Sequence, residues 1–174
     1  DFKKRVNSDL VGKVINIASR SASFVVKKYD KELSANCIEK SLYDEFVEAG
    51  SDIAKHYEAR NFNQAMRLIM KLADKANKYI DEKKPWQLVK IKGKEKEVHE
   101  ITSLAINLFK VLMTYLKPVL PEMAKRSEEF LNVDSLNWSD IKNPLTNHKI
   151  NKFKALMTRI EDDQIDQMVE SSKV

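Results

Sequence analysis

Residues 97–116 read EVHEITSLAINLFKVLMTYL. Ile101, Leu104, Ala105, Leu108, Phe109, Leu112 and Met113 recur at steps of three and four and crowd more than one face. A surface helix carries one apolar stripe, whereas a helix apolar on several faces must be covered by others. The stretch therefore predicts a central helix, ended by Pro118 and Pro121, since proline cannot continue the backbone ladder.

The flanking segments supply the cover. Phe2, Val6, Leu10, Val14, Ile17, Ser21, Phe24 and Val25 have helical spacing, which predicts a long first helix ending near Tyr29-Asp30. Leu42, Phe46, Ala49, Ile53 and Tyr57 predict a second helix over Ser41 to Ala59. Asn61-Phe62-Asn63 suits a cap region. Ala65, Leu68, Ile69, Leu72, Ala76 and Ile80 form the buried stripe of a third helix. That helix stops near Lys83-Lys84, because a residue before proline is biased away from helical dihedrals, and Pro85 suits the first position of a new helix. Gly93 interrupts the short piece that follows. Glu122 to Leu131 reads as a short amphipathic helix, Asn132 to Ile150 as irregular with Trp138 anchoring it, and Asp162 to Ser171 as a short polar helix. Short loops join the segments, which predicts an all-α, antiparallel helix bundle in one domain over residues 1–174.

Composition agrees. The 174 residues include 3 Gly and 4 Pro, too few for the frequent turns of a sandwich or barrel. Gly12, Gly50 and Gly93 are far apart, which removes the clustered-glycine phosphate cradles of Rossmann and P-loop proteins. Thirty-one Lys and Arg against 26 Asp and Glu give a net charge of +5, compatible with a polyanion partner without demanding one. Cys37 is the single cysteine, so no intrachain disulfide forms and a reducing, cytoplasmic setting is expected. No apolar run has the length of a membrane span, and no secretory signal is read. The chain opens on Asp-Phe-Lys-Lys rather than Met, as a piece cut from something longer would.

Catalytic chemistry finds little footing. His56, His99 and His148 lie on different segments, and no two share a metal-ligand spacing. The carboxylates are scattered over polar faces. Binding finds more. Lys13, Asn16 and Arg20 fall on one face of the first helix. Asn is a poor mid-helix residue, so Asn16 either satisfies a buried backbone group or serves a ligand. Trp86, after Lys83-Lys84-Pro85, either plugs a helix junction or offers an exposed indole to a base, a stack worth about 1–3 kcal/mol.

Four blocks then match a known family. They are Asn7-Ser8-Asp9-Leu10-Val11-Gly12-Lys13 with Asn16-Ile17-Ala18-Ser19-Arg20; Tyr79-Ile80-Asp81-Glu82 with Pro85-Trp86; Ile106-Asn107-Leu108-Phe109 with Leu112-Met113 and Tyr115 to Pro121; and His148-Lys149-Ile150-Asn151 with Phe153 to Leu156. In this order and at these separations they resemble the C-terminal anticodon-binding domain of bacterial methionyl-tRNA synthetase, a class I aminoacyl-tRNA synthetase.

The resemblance implies recognition of the CAU anticodon of methionine tRNAs, initiator and elongator, by Asn16, Arg20 and Trp86, with Asn77 and Asp81 lining the same site. It implies that catalysis, with ATP, magnesium and in many members a structural zinc, belongs to a preceding domain, so that this chain alone is not an enzyme. The expected partners are a methionine tRNA and that catalytic domain, toward which the tail from about residue 145 to 174, with His148 and Arg159, would pack; DNA and membranes are not expected. Arg159 would be structural or at the edge of the RNA site. Lys13, Lys83 and Lys84 are the candidate phosphate contacts, joined by Lys90, Lys92, Lys94 and Lys96. On this view Asn16 and Trp86 take their ligand-facing readings. A helical protein-interaction scaffold without RNA binding is the alternative.

Overall fold

The structure is a computed structural model and describes residues 2–153, with side chains from Ser8 onward. The predicted terminal helix over Asp162 to Ser171, together with Arg159, lies outside the described residues. The elements are α1 (Phe2–Lys28), α2 (Lys40–Glu48), α3 (Gly50–Glu58), α4 (Phe62–Lys83), α5 (Pro85–Leu88), α6 (Glu95–Leu116) and α7 (Pro121–Leu131), followed by a 3-10 turn at Trp138–Asp140.

As its sequence requires, α6 is the centre. Every residue from Ile101 to Leu116 is buried, and α1, α2, α4, α5 and α7 all touch it. Each large apolar side chain hidden this way contributes about 1.5–3 kcal/mol. Burial extends to polar residues. The Thr102 and Thr114 hydroxyls donate to the carbonyls four residues earlier, so neither hydroxyl is left without a partner in the core.

Beyond the end of α1, the Tyr29 hydroxyl donates to the Glu95 carbonyl at 2.6 Å and its ring stacks on His99 at 4.0 Å. The end of α1 thus meets the start of α6, and the two run antiparallel. Helix α4 also ends near the start of α6, to which α5 connects it. Consequently α1 and α4 lie side by side in the same direction, and that parallel pair builds the site.

The predicted second helix is two. Helices α2 and α3 meet at Ala49, because the buried Tyr115 hydroxyl donates to the Phe46 carbonyl at 2.5 Å and also reaches that of Val47 at 3.2 Å. A side-chain donor thus sits on the carbonyls at the helix junction. Gly50 lies against the same hydroxyl: a Cβ there would come within 2.9 Å of it. Asn61 does occupy the cap position of α4, but its side chain makes no capping bond.

Residues 132–153 form a strap across α6 and α7. Buried Asn107 substitutes for a strand edge, accepting from the Leu145 amide at 2.7 Å and donating to the Leu145 carbonyl at 3.0 Å. The Lys110 ammonium donates to the Asn143 carbonyl at 3.1 Å, and burial lowers its pKa. Trp138 anchors the strap as predicted, its ring 4.8 Å from Tyr115 and 6.5 Å from Tyr57. The strap then pairs with the loop after α1: Leu33 donates to the His148 carbonyl and Ile150 to that of Lys31, both at 2.8 Å. Nε2 of His148 lies 2.7 Å from the Leu131 carbonyl. The described part of the tail, through Phe153, is therefore held by the bundle itself.

Candidate nucleic-acid interface

The polar stripe of α1 meets its counterpart on α4. Lys13, Asn16 and Arg20 have the spacing i, i+3, i+7, and so do Asp74, Asn77 and Asp81. Because the two helices run in the same direction, the stripes align rung by rung. The Lys13 ammonium lies 2.6 Å from Asp74. The Asn16 amide donates to Asn77 Oδ1 at 3.3 Å. Arg20 donates to Asp81 at 2.7 Å and to Asn77 Oδ1 at 3.0 Å.

Asn77 organises the middle of this ladder. Its Nδ2 donates to the carbonyls of Lys13 at 3.1 Å and Ala73 at 3.2 Å. Two backbone acceptors thus fix which end of the amide points where. Oδ1 faces Arg20 and Asn16, and Asn16 turns its donor inward. The Oδ1 of Asn16, itself an exposed residue, is left as an acceptor available to a ligand.

Arg20 is held from three sides. Its terminal nitrogens are taken by Asp81 and Asn77, and its guanidinium carbon is 5.8 Å from the centroid of the Trp86 ring. Its Nε is buried and has no hydrogen-bond partner among the described residues. Trp86 is 38% exposed, one of few large apolar side chains left so open. It does not plug the helix junction; its neighbour Pro85 is the buried residue there. All five site residues named from sequence, Asn16, Arg20, Asn77, Asp81 and Trp86, are therefore brought together.

The lysines divide. Lys13 is paired with Asp74. Lys83 lies 3.8 Å from Glu39 and over the Tyr79 ring at 5.8 Å. Lys84 is exposed, with no ion-pair partner among the described residues. Lys90, Lys92, Lys94 and Lys96 are exposed around the α5–α6 loop, and Lys94 faces Glu97 at 3.3 Å. The residue that sequence reading missed is Asp74. The matching spacing of the two stripes was the signal, but it has meaning only once α1 and α4 are known to run parallel.

This architecture has clear counterparts. Crystal structures of Mycobacterium tuberculosis methionyl-tRNA synthetase, in the free state and with methionyl-adenylate, superpose with TM-scores of 0.78 and 0.79 at 20% and 19% identity, over 88% of this chain and 32% of those chains. The fold is the all-α helical bundle of the anticodon-binding type. Residues 31–172 match the family described as the anticodon binding domain of methionyl tRNA ligase, and the chain belongs to that family. It is 66% identical over 173 residues to the methionine–tRNA ligase of Vesicomyosocius okutanii and 57% identical to that of Psychrobacter sp. strain PRwf-1. Each alignment covers 99% of this chain, but the chain spans 32% and 25% of those two proteins.

Proposed function

We propose that this chain reads the CAU anticodon of methionine tRNAs, initiator and elongator alike, as the recognition part of an ATP-dependent methionine–tRNA ligase in the cytoplasm. The observation that carries the proposal is the exposed indole of Trp86 beside the held guanidinium of Arg20. Sequence-specific RNA recognition works on unstacked bases, such as those of an anticodon loop. Trp86 supplies a flat apolar platform for one such base.

The first base of CAU is cytosine, whose pairing edge has an amino donor and two acceptors. The Oδ1 of Asn16 accepts from the amino group, while outward N–H bonds of Arg20 donate to the acceptors. Uracil places a carbonyl where cytosine has its amino group, so two acceptors would face each other. A mismatched buried polar pair costs about 1–3 kcal/mol. Asp81 holds Arg20 and repels phosphate, which penalises wrongly shaped loops. Lys84 and the lysines of the α5–α6 loop supply the salt-sensitive attraction to the backbone, with Lys13 and Lys83 contributing less because acidic partners offset them. A protein scaffold would have no need for an exposed indole, a held guanidinium and an oriented amide in one place.

Attachment of methionine belongs in this proposal to the rest of the ligase, with ATP and magnesium. In this reading a structural zinc would also belong to that part of the ligase. The test is a titration with CAU and UAU stem-loops at two salt concentrations. The C-to-U penalty should be larger for the wild type than for Asn16→Ala; equal penalties would overturn the readout.

A further inference from the structure

Helices α4 and α5 are separated by a single residue. Lys84 is both the last cap of α4 and the first cap of α5. Its amide donates to the Ile80 carbonyl at 2.9 Å, closing α4, while its carbonyl accepts from Gln87 at 2.9 Å and Leu88 at 3.1 Å, opening α5. No spare bond in this junction absorbs a change of direction. The angle between the helices is set by the φ and ψ of Lys84, which are 50° and 60°.

That conformation is left-handed, which side-chain-bearing residues seldom adopt; six other non-glycine residues among those described share it, but Lys84 alone of them precedes a proline. It is also an uncommon setting for a residue before proline. Strain of this kind persists where the surroundings over-determine it, and it concentrates at functional sites. Here buried Pro85 fixes the following φ and seats the first turn of α5, and Trp86 comes next. Any other rotation at Lys84 would swing α5 and carry the indole away from Arg20.

We propose that Lys84 is a positioning residue whose left-handed backbone, at a one-residue junction between two helices, holds Trp86 beside Arg20 in the free protein. Its ammonium is a separate contribution, an attraction to phosphate that does not distinguish one loop from another. The consequence for RNA rests on the anticodon reading proposed above, but the geometry can be tested without RNA.

The test uses the 174-residue chain with Trp138→Phe, which leaves Trp86 as the sole indole. Lys84→Asn removes the charge but keeps a residue tolerant of left-handed backbone; Lys84→Ile removes the charge and, being β-branched, disfavours that backbone; Lys84→Val is the smaller β-branched form should Lys84→Ile not fold. In the RNA-free protein, acrylamide quenching of Trp86 fluorescence should be unchanged by Lys84→Asn and altered by Lys84→Ile or Lys84→Val. With stem-loops, Lys84→Asn should weaken CAU and UAU binding equally and lower the salt slope by about one. Lys84→Ile should cost about a further tenfold on both loops, because a stack on the indole tolerates either base. If Lys84→Asn is indistinguishable in quenching from Lys84→Ile and Lys84→Val, the positioning role is wrong, whatever the RNA data show. If quenching differs as expected but Trp86→Ala binds the CAU loop as tightly as the wild type, the junction stands and the anticodon reading falls.

Discussion

The guanidinium carbon of Arg20 lies 5.8 Å from the centre of the Trp86 ring while its terminal nitrogens bond Asp81 and Asn77. Three elements meet in that relationship: α1 brings the cation, α4 the acceptors, and α5 the indole. The cation is oriented before any ligand arrives, so less ordering is left to be done on binding.

Replacing the indole isolates the stacking part. Trp86→Ala should weaken binding of a CAU stem-loop by about 1–3 kcal/mol, with the helical circular dichroism unchanged because the side chain is exposed. Unchanged affinity in the titration would rule out stacking on Trp86.

Keeping the charge of Arg20 while losing its shape isolates orientation. A lysine ammonium cannot bond Asp81 and Asn77 together and lie flat beside an indole. Arg20→Lys should therefore bind the CAU loop about tenfold or more weakly. Thermal stability should move little, since exposed ion pairs are worth about 0–1 kcal/mol and Asp81 is 62% exposed. Calorimetric melting alongside the titration checks both halves.

The role of Asn77 is tested by coupling. Asn77→Ala frees the amide of Asn16 and leaves the Lys13 carbonyl without its side-chain donor. It should cost about 1 kcal/mol in stability and shrink the C-to-U penalty. A double-mutant cycle with Asn16→Ala should be non-additive. Strict additivity in the binding penalties would mean that Asn77 does not orient Asn16.

The break between α2 and α3 has its own test. Gly50→Ala should destabilise the fold by about 1–3 kcal/mol, because its Cβ would meet the Tyr115 hydroxyl at 2.9 Å. In a Tyr115→Phe background the added penalty should be smaller, since the clashing oxygen is gone. Denaturant melts of the four proteins give the comparison.

Alkaline stability follows from the tyrosines. Burial is the first cause raising the pKa of Tyr29, Tyr43, Tyr57, Tyr79 and Tyr115. The fold thus retains phenol protons that the unfolded chain releases near pH 10 or so. The stability they contribute is complete below that pH and is lost as pH rises through the raised values. Lys110 acts oppositely, since its lowered pKa means that its burial penalty is relieved as pH rises. Cys37, Lys40 and Lys149, whose pKa values are raised as well, add to the tyrosines' side, so the balance is a net loss. Phenolate absorbance should therefore appear together with loss of helical circular dichroism above about pH 10; phenolate formation in a fully helical protein near pH 10 would contradict this.

Much of the fold is legible in the chain. The many-sided apolar character of residues 97–116 marks α6 as central, and Pro85 and Pro121 open α5 and α7 as their missing N–H groups allow. The split at Ala49 is not legible, because it comes from a hydroxyl 66 positions further along the chain, on Tyr115. The cap position at Asn61 is legible, although its side chain makes no capping bond. Within the site, the types at Asn16, Arg20 and Trp86 are conspicuous on their own, whereas Asp74 is one carboxylate among many until α4 is laid beside α1.

The sequence by itself determined that helices form, where prolines end them, which faces are apolar, and which polar residues are out of place. Those properties depend on spacing and local backbone chemistry, within a few residues. The tertiary structure alone decided that α1 and α4 run parallel, so that Lys13, Asn16 and Arg20 meet Asp74, Asn77 and Asp81, and that one left-handed residue turns the chain to leave Trp86 beside Arg20. Such pairings depend on how helices pack around α6, and no local pattern carries the direction of a neighbour 61 residues away.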